Sequence, residues 1–146
     1  MFETIVVGTD GSPNAEQAVK AATRVALDGG GAVHLVAVFP PPPEGLDGLL
    51  AQVPEAVRAE LDPSAAAAAH LLAAEKIVSA SGVRFEAHHA QGDPAEIILD
   101  IAEQTSADLI VVGSRGAGPG RRFTMGTVST KVSQGAPIAV LIVPAT

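Results

Sequence analysis

Short apolar runs alternate with longer stretches of helical periodicity along this chain. Thr4–Gly8 is rich in β-branched residues and predicts a buried strand. A turn-forming segment follows, and apolar residues then recur three and four positions apart between 15 and 26, which is typical of one buried helix face. Successive glycines at 29–31 end that predicted helix.

The remaining apolar runs predict four more strands. In one of them, 83–88, apolar and polar residues alternate, which indicates a half-exposed strand near a sheet edge. The other three runs are continuous and apolar and also predict strands, of which 109–112 is expected to be buried. These three strands are predicted at 32–39, 109–112 and 139–143.

Helices are predicted in each interval between these strands. Ser64 is the predicted N-cap of a helix that runs to about residue 80, whereas Asp93 caps a helix that begins at Pro94 and ends near 105. A last helix is predicted from about 127 to 134. The secondary structure of the segment 44–62 is left undecided, since its prolines allow at most a short helix within it.

The resulting β–α alternation predicts an α/β fold. We expect a single doubly wound domain over 1–146, with a parallel sheet covered by helices on both faces. The net charge of −7 argues against nucleic acid as the main partner. No apolar run is long enough to cross a membrane, and cysteine is absent, so a cytoplasmic protein without disulfides is expected.

Charge is distributed unevenly along the chain. All 16 acidic residues lie at or before Asp108, whereas the residues after it include four basic side chains and no acid. This asymmetry favours an anion site in the C-terminal part of an otherwise acidic protein. The four basic residues are Arg115, Arg121, Arg122 and Lys131.

The same C-terminal part contains a glycine-rich loop between a predicted strand and a predicted helix. Gly113 and Gly116 let the backbone approach an anion closely, and the helix that begins after Gly126 offers free N–H groups to a phosphate. Thr127 and Ser129 add hydroxyls. The loop is neither a Walker motif, because it lacks Gly-Lys-Ser/Thr, nor a dinucleotide fingerprint, because its glycine spacing differs. A loop whose glycines serve only turns is the structural alternative.

The spacing Gly-x2-Gly-x9-Gly-Ser/Thr over 113–127 resembles that of ATP-binding members of the universal stress protein family. The opening segment 5–12, Gly92-Asp93-Pro94, the segment 107–113 and the closing segment 136–144 are also similar to the family, so the resemblance covers essentially the whole chain. It implies a five-stranded parallel sheet of order 3-2-1-4-5 with ATP at the carboxyl ends of strands 1 and 4.

The resemblance also implies a set of ATP-binding residues. Asp10 would lie near the ribose and adenine, the backbone of Val38 would meet the adenine, and the glycine-rich loop would hold the phosphates. ADP or AMP would use the same site, and Asp10 would reach Mg²⁺ through a bound water. The complete candidate set is Thr9, Asp10, Val38, Gly113, Ser114, Arg115, Gly116, Gly126, Thr127, Val128 and Ser129.

Three functions are weighed on this basis. A nucleotide-dependent regulatory or stress-response protein is favoured, because the loop contains no lysine and no general base is evident near the phosphates. The alternatives are a slow ATPase or nucleotidyl-transferring enzyme, and an interaction module without a ligand. The family resemblance implies a homodimer through the last strand, 139–143. The histidines at 34, 70, 88 and 89 show no metal-ligand spacing within one element, so no protein metal site is assigned.

Overall fold

The structure, a computed structural model, describes residues 2–42, 44–115 and 125–145. Within them, five parallel strands form one sheet in which strand 1 is central and strands 3 and 5 lie at the edges. The predicted order 3-2-1-4-5 is therefore confirmed. The strands are β1 (Thr4–Gly8), β2 (Ala32–Phe39), β3 (Arg84–Gln91), β4 (Leu109–Gly113) and β5 (Ala139–Val143).

Helices connect the strands and cover both faces of the sheet. They are α1 (Pro13–Gly29), α2 (Leu46–Leu50), α3 (Glu55–Leu61), α4 (Pro63–Ser81), α5 (Pro94–Gln104) and α6 (Thr127–Gly135). The long helices α1 and α4 pack together on one face, and α5 and α6 pack together on the other. The predicted doubly wound α/β architecture is thus confirmed.

Each face of the sheet has its own apolar core. On the α1/α4 face, alternate strand residues such as Val7 and Leu35 are fully buried against Val19 and Val78. On the α5/α6 face, Ile110 packs with the helix residues of the second core. The core is built from aliphatic side chains and alanine because the chain has no Trp or Tyr. Two rigid, close-packed faces fix the positions of the strand ends.

The start of α4 differs from the prediction. Its N-cap is Asp62 rather than Ser64, and the Asp62 side chain accepts a hydrogen bond from the Ser64 N–H at 3.0 Å. Pro63 occupies the first helical position, where its missing N–H costs no hydrogen bond. The chain between β2 and α4 forms two short helices, of which only α3, between Pro54 and Pro63, matches the short helix that the sequence allowed.

The helix α5 begins as the sequence predicts. Asp93 is its N-cap and accepts a hydrogen bond from the Glu96 N–H at 3.1 Å, with Pro94 at the first helical position. This backbone hydrogen bond is the largest influence on the carboxyl group, and it lowers the pKa of Asp93. Across the described residues, none of the helices combines the length and the apolar composition that a membrane span requires.

Candidate functional site

The segments that follow β1 and β4 turn to opposite faces of the sheet at the carboxyl ends of these two strands. These strands are neighbours, with Val7 paired to Val111. The chain leaves β1 into α1 on one face, whereas β4 leads toward α6 on the opposite face. The two connections therefore diverge and leave a crevice at the strand ends, which is where open α/β sheets bind ligands.

The loop after β1 is ordered by hydrogen bonds among its own residues. The Thr9 N–H donates to the Val36 carbonyl at 2.9 Å and extends the pairing with β2. The Asp10 carboxylate accepts from the Ser12 N–H at 2.9 Å, and Ser12 in turn caps α1 by accepting from the Ala15 N–H at 3.1 Å. Asp10 is exposed, and the hydrogen bond to the Ser12 N–H uses only its Oδ1.

Gly11 brings this loop against α4. It adopts a left-handed conformation, with φ of 79°, and a Cβ at this position would collide with the ring of His70. Any other residue would therefore be strained by its backbone and by this contact. His70 is consequently a neighbour of the Asp10 loop, a placement that the sequence does not predict.

The backbone of Val38 is directed toward the crevice. Since the Val36 carbonyl points at Thr9 and strand residues two apart point the same way, the N–H and C=O of Val38 also face the β1 side. The strand β1 ends opposite Val36, at Gly8. The polar backbone groups of Val38 thus lie beyond the end of their neighbouring strand.

Asn14 ties the start of α1 to the end of the sheet. Its side-chain Nδ2 donates to the Val143 carbonyl at 3.0 Å, and its Oδ1 accepts from the Arg115 N–H at 2.8 Å. Asn14 is buried, and a Cβ on Gly113 would lie only 2.6 Å from its Oδ1. Gly113 is therefore required for this close approach, in addition to any contact that it makes with a ligand.

Ser129 holds the two ends of the glycine-rich loop together. Its buried hydroxyl lies 3.0 Å from both the Ser114 and the Gly126 carbonyl oxygens, which share its single proton. The Gly126 N–H also donates to the Ser114 carbonyl, at 2.6 Å. The Ser129 hydroxyl proton is thus engaged within the protein, which gives this residue a positioning role at the loop.

The first turn of α6 faces the same region. Gly126 precedes the helix with an extended backbone and makes no side-chain cap, and the first N–H groups of a helix, here from Thr127 onward, have no intrahelical acceptor. Thr127 is exposed, whereas Val128 packs on the second core. The predicted residues Gly116, Arg121 and Arg122 lie outside the described part of the chain.

Not all of the basic side chains in the C-terminal part of the chain lie at the crevice. Lys131, on α6, lies 3.4 Å from the Asp93 carboxylate, which caps α5. This pair links the two helices on the outside of the protein. Arg115 is half-buried, and its main-chain N–H, which donates to the Asn14 side chain, lies at the crevice.

Comparison with known proteins agrees with this architecture. A model of the universal stress protein family matches residues 1–144. The chain belongs to the universal stress protein family. A universal stress protein of Thermus aquaticus is 35% identical to it over 143 residues, which are 98% of this chain and 99% of the relative.

Two universal stress proteins of similar structure were solved with adenine nucleotides. One, in complex with cAMP, superimposes with a TM-score of 0.71 and 26% identity, over 97% of this chain and 96% of that chain. Another, from Archaeoglobus fulgidus in complex with dAMP, has a TM-score of 0.67 and 25% identity over 97% of both chains. Members of this family with the same fold therefore bind adenine nucleotides.

Two residues of the crevice are not predicted from the sequence, namely Asn14 and His70. A local signal for Asn14 was available, because it precedes Ala18 and Ala22 by four and eight positions and so lies on the buried face of α1. A polar residue on such a face needs a hydrogen-bond partner. His70 has no such signal, since only the tertiary packing of α4 brings it to Gly11.

Proposed function

We propose that residues 1–146 act as one ATP-binding domain of a cytoplasmic regulatory protein in the stress response. The proposal rests chiefly on one arrangement: the end of β4, held by Asn14, runs beside the uncapped first turn of α6 at the point where the chain changes sides of the sheet. Backbone N–H groups at a helix start favour phosphate. The cAMP and dAMP complexes of similar universal stress proteins support an adenine nucleotide as the ligand.

Each part of the nucleotide has a proposed partner. The outward backbone groups of Val38 suit the adenine edge, and the exposed Asp10 suits ribose hydroxyls or a water of Mg²⁺. Thr9 lies between these two contacts. The phosphates would meet the loop and the helix start. The proposed phosphate partners are Gly113, Ser114, Arg115, Gly116, Gly126, Thr127 and Val128, with Ser129 supporting the loop.

Binding without turnover is favoured by the way the polar groups are used. The Oδ1 of Asp10 accepts from the Ser12 N–H, and the Ser129 hydroxyl proton is shared by two carbonyl oxygens. Asn14 bonds on both sides of its amide. Groups that are fixed by structural hydrogen bonds position a ligand well, but they are poor candidates for moving a proton.

We expect ATP to bind with micromolar or tighter affinity, as measured by titration calorimetry. Because the chain has no Trp or Tyr, the ultraviolet absorbance of adenine can also be measured directly in the purified protein with little background. Mass spectrometry of a denatured sample would then identify the nucleotide that co-purifies. Chromatography of ATP after prolonged incubation with the protein is expected to show no more ADP or AMP than buffer alone.

Two results would contradict these expectations in different ways. Absence of heat and of co-purified nucleotide with ATP, ADP and AMP would exclude the binding function. ADP or AMP accumulating in proportion to protein concentration would instead favour the slow ATPase or nucleotidyl-transferring enzyme.

We further propose that the protein forms a homodimer through the edge of β5. This strand is apolar and ends the sheet, and the side chain of Leu141 is 38% exposed. The Val143 carbonyl points toward β4, where it accepts from the Ser114 N–H. Because the backbone groups of successive strand residues point to opposite sides, those of Val140 and Ile142 point to the open edge. An open apolar edge is normally covered, and pairing with a second copy covers it.

Val140→Pro is expected to convert the dimer to a monomer. Proline removes the outward N–H of Val140 but leaves the hydrogen bonds between β4 and β5 in place, because those use alternate residues. Light scattering coupled to size-exclusion chromatography at micromolar concentration measures the result. Val140→Thr, which keeps the N–H and the branched shape, is the matched control and should remain dimeric. A wild-type monomer, or a dimeric Val140→Pro variant with native circular dichroism, would contradict the β5 interface.

A further inference from the structure

Two histidines and a glutamate converge on the sheet face that carries α5 and α6. Parallel pairing places His34 opposite Glu86 and Val36 opposite His88, so the three polar side chains share one face of β2 and β3. The His34 Nδ1 lies 3.0 Å from the His88 Nε2 and 3.4 Å from the Glu86 Oε2. One potential ligand atom from each residue lies within 4.8 Å of both others.

These separations match those between the ligands of a tetrahedral metal ion. Zinc binds imidazole nitrogen and carboxylate oxygen at about 2.1 Å, which places adjacent ligand atoms about 3.4 Å apart. The separations from the His34 Nδ1 to the other two ligand atoms, 3.0 and 3.4 Å, are close to this value. Two imidazoles and one carboxylate are also a donor set that zinc uses, with a water as the fourth ligand.

A hydrogen bond between the two imidazoles accounts for only part of the convergence. The His34 Nδ1 carries at most one proton, yet it faces both the His88 nitrogen and the Glu86 carboxylate oxygen. If it is unprotonated, its lone pair faces a carboxylate. A cation among the three atoms satisfies all of them at once.

The cluster has one sheltered and one open side chain. The His34 side chain is only 12% exposed, which limits the positions that its ring can adopt. The Glu86 side chain is 73% exposed, so an ion can reach the three residues from solvent.

We propose that His34, Glu86 and His88 form a binding site for a divalent transition-metal ion, with Zn²⁺ as the preferred occupant. The site is separate from the nucleotide crevice. His34 precedes Val38 by four strand residues, which places the two about 13 Å apart. The packing of α5 on β1 and β2, together with α4 on the other face of β3, leaves this corner of the sheet accessible.

The test is a Zn²⁺ titration of the chelator-treated, nucleotide-free 146-residue chain by calorimetry, with Co²⁺ absorption spectra as a second readout. One ion per chain and a Co²⁺ spectrum typical of tetrahedral nitrogen and oxygen ligands are expected. His88→Gln and Glu86→Gln, at accessible positions, should each weaken Zn²⁺ binding by more than about tenfold. His34→Gln should do the same if its circular dichroism is native.

His89→Gln is the matched control. His89 follows His88 directly but lies on the opposite face, with its Nε2 2.9 Å from the Ser64 carbonyl oxygen. This variant should bind Zn²⁺ as the wild type does. Absence of Zn²⁺ binding, or binding that His88→Gln and Glu86→Gln leave unchanged, would overturn the proposal whether or not the protein binds ATP.

Discussion

Gly126→Val should lower the affinity for ATP by about 100-fold while leaving the fold intact. Gly126 has φ of −67° and an extended ψ, a conformation that valine adopts without strain. A branched side chain at the start of α6 would, however, displace phosphate from the N–H groups of the first turn. Losing two hydrogen bonds to a charged group, at roughly 1.5 kcal/mol each, corresponds to about this factor. Calorimetry measures the affinity and thermal unfolding the stability.

Gly113→Val should lower both the affinity for ATP and the free energy of unfolding. The new Cβ would lie 2.6 Å from the Asn14 Oδ1, so the amide must move away from both the Arg115 N–H and the Val143 carbonyl. Loss of these two hydrogen bonds would lower the free energy of unfolding by about 2 kcal/mol. The contrast between the two variants separates a phosphate contact from a packing requirement.

A third glycine provides the matched control for both substitutions. Gly48→Val, in α2, introduces a Cβ into open space and should leave ATP affinity unchanged. Unchanged affinity in Gly126→Val would contradict phosphate binding at the start of α6. An unchanged unfolding free energy in Gly113→Val would contradict the role assigned to Asn14.

Asn14→Ala should lower the free energy of unfolding by about 2–3 kcal/mol and weaken ATP binding as well. The substitution leaves the Arg115 N–H without its side-chain acceptor and removes a donor to the Val143 carbonyl, in a buried location. A buried polar group that is left without a hydrogen-bond partner lowers the free energy of unfolding more than the loss of an exposed hydrogen bond does. Chemical denaturation with and without ATP measures both effects.

Asn14→Asp refines this prediction. Aspartate keeps an acceptor for the Arg115 N–H but places a carboxylate oxygen against the Val143 carbonyl, so it should also be destabilising. Glu16→Ala, on the exposed side of the same helix, removes only an exposed ion pair with Lys20 and should change stability by less than about 0.5 kcal/mol. Equal effects of Asn14→Ala and Glu16→Ala would refute the bridging role.

The strands and most helix ends follow from local sequence. Apolar runs flanked by glycine or proline predict β1, β2 and β5 with the bounds that the structure shows. For β1 and β2 the reason is that a parallel strand covered on both faces is apolar on both. The edge strand β5 is apolar although Leu141 is 38% exposed. The same Asp-Pro pattern that correctly marks the start of α5 also occurs at Asp62-Pro63. Ser64 was the wrong cap because the residue that precedes an N1 proline is itself the cap.

The contacts that shape the crevice and the proposed metal site depend on residues far apart in the chain. Asn14 and Val143 are separated by 129 positions, and His34 and His88 by 54. Spacing within one element cannot reveal such pairs, since the register between strands brings them together. The short helix α2 is not predicted either, and Leu50 is its one buried residue.

The amide of Asn14 has a consequence for how the protein responds to its ligand. The Val143 carbonyl that it contacts belongs to the edge strand β5, and the Arg115 N–H belongs to the loop after β4. One side chain therefore couples the proposed nucleotide site to the proposed subunit interface. Thermodynamic reciprocity then requires that the factor by which ATP changes the association of subunits equal the factor by which association changes the affinity for ATP.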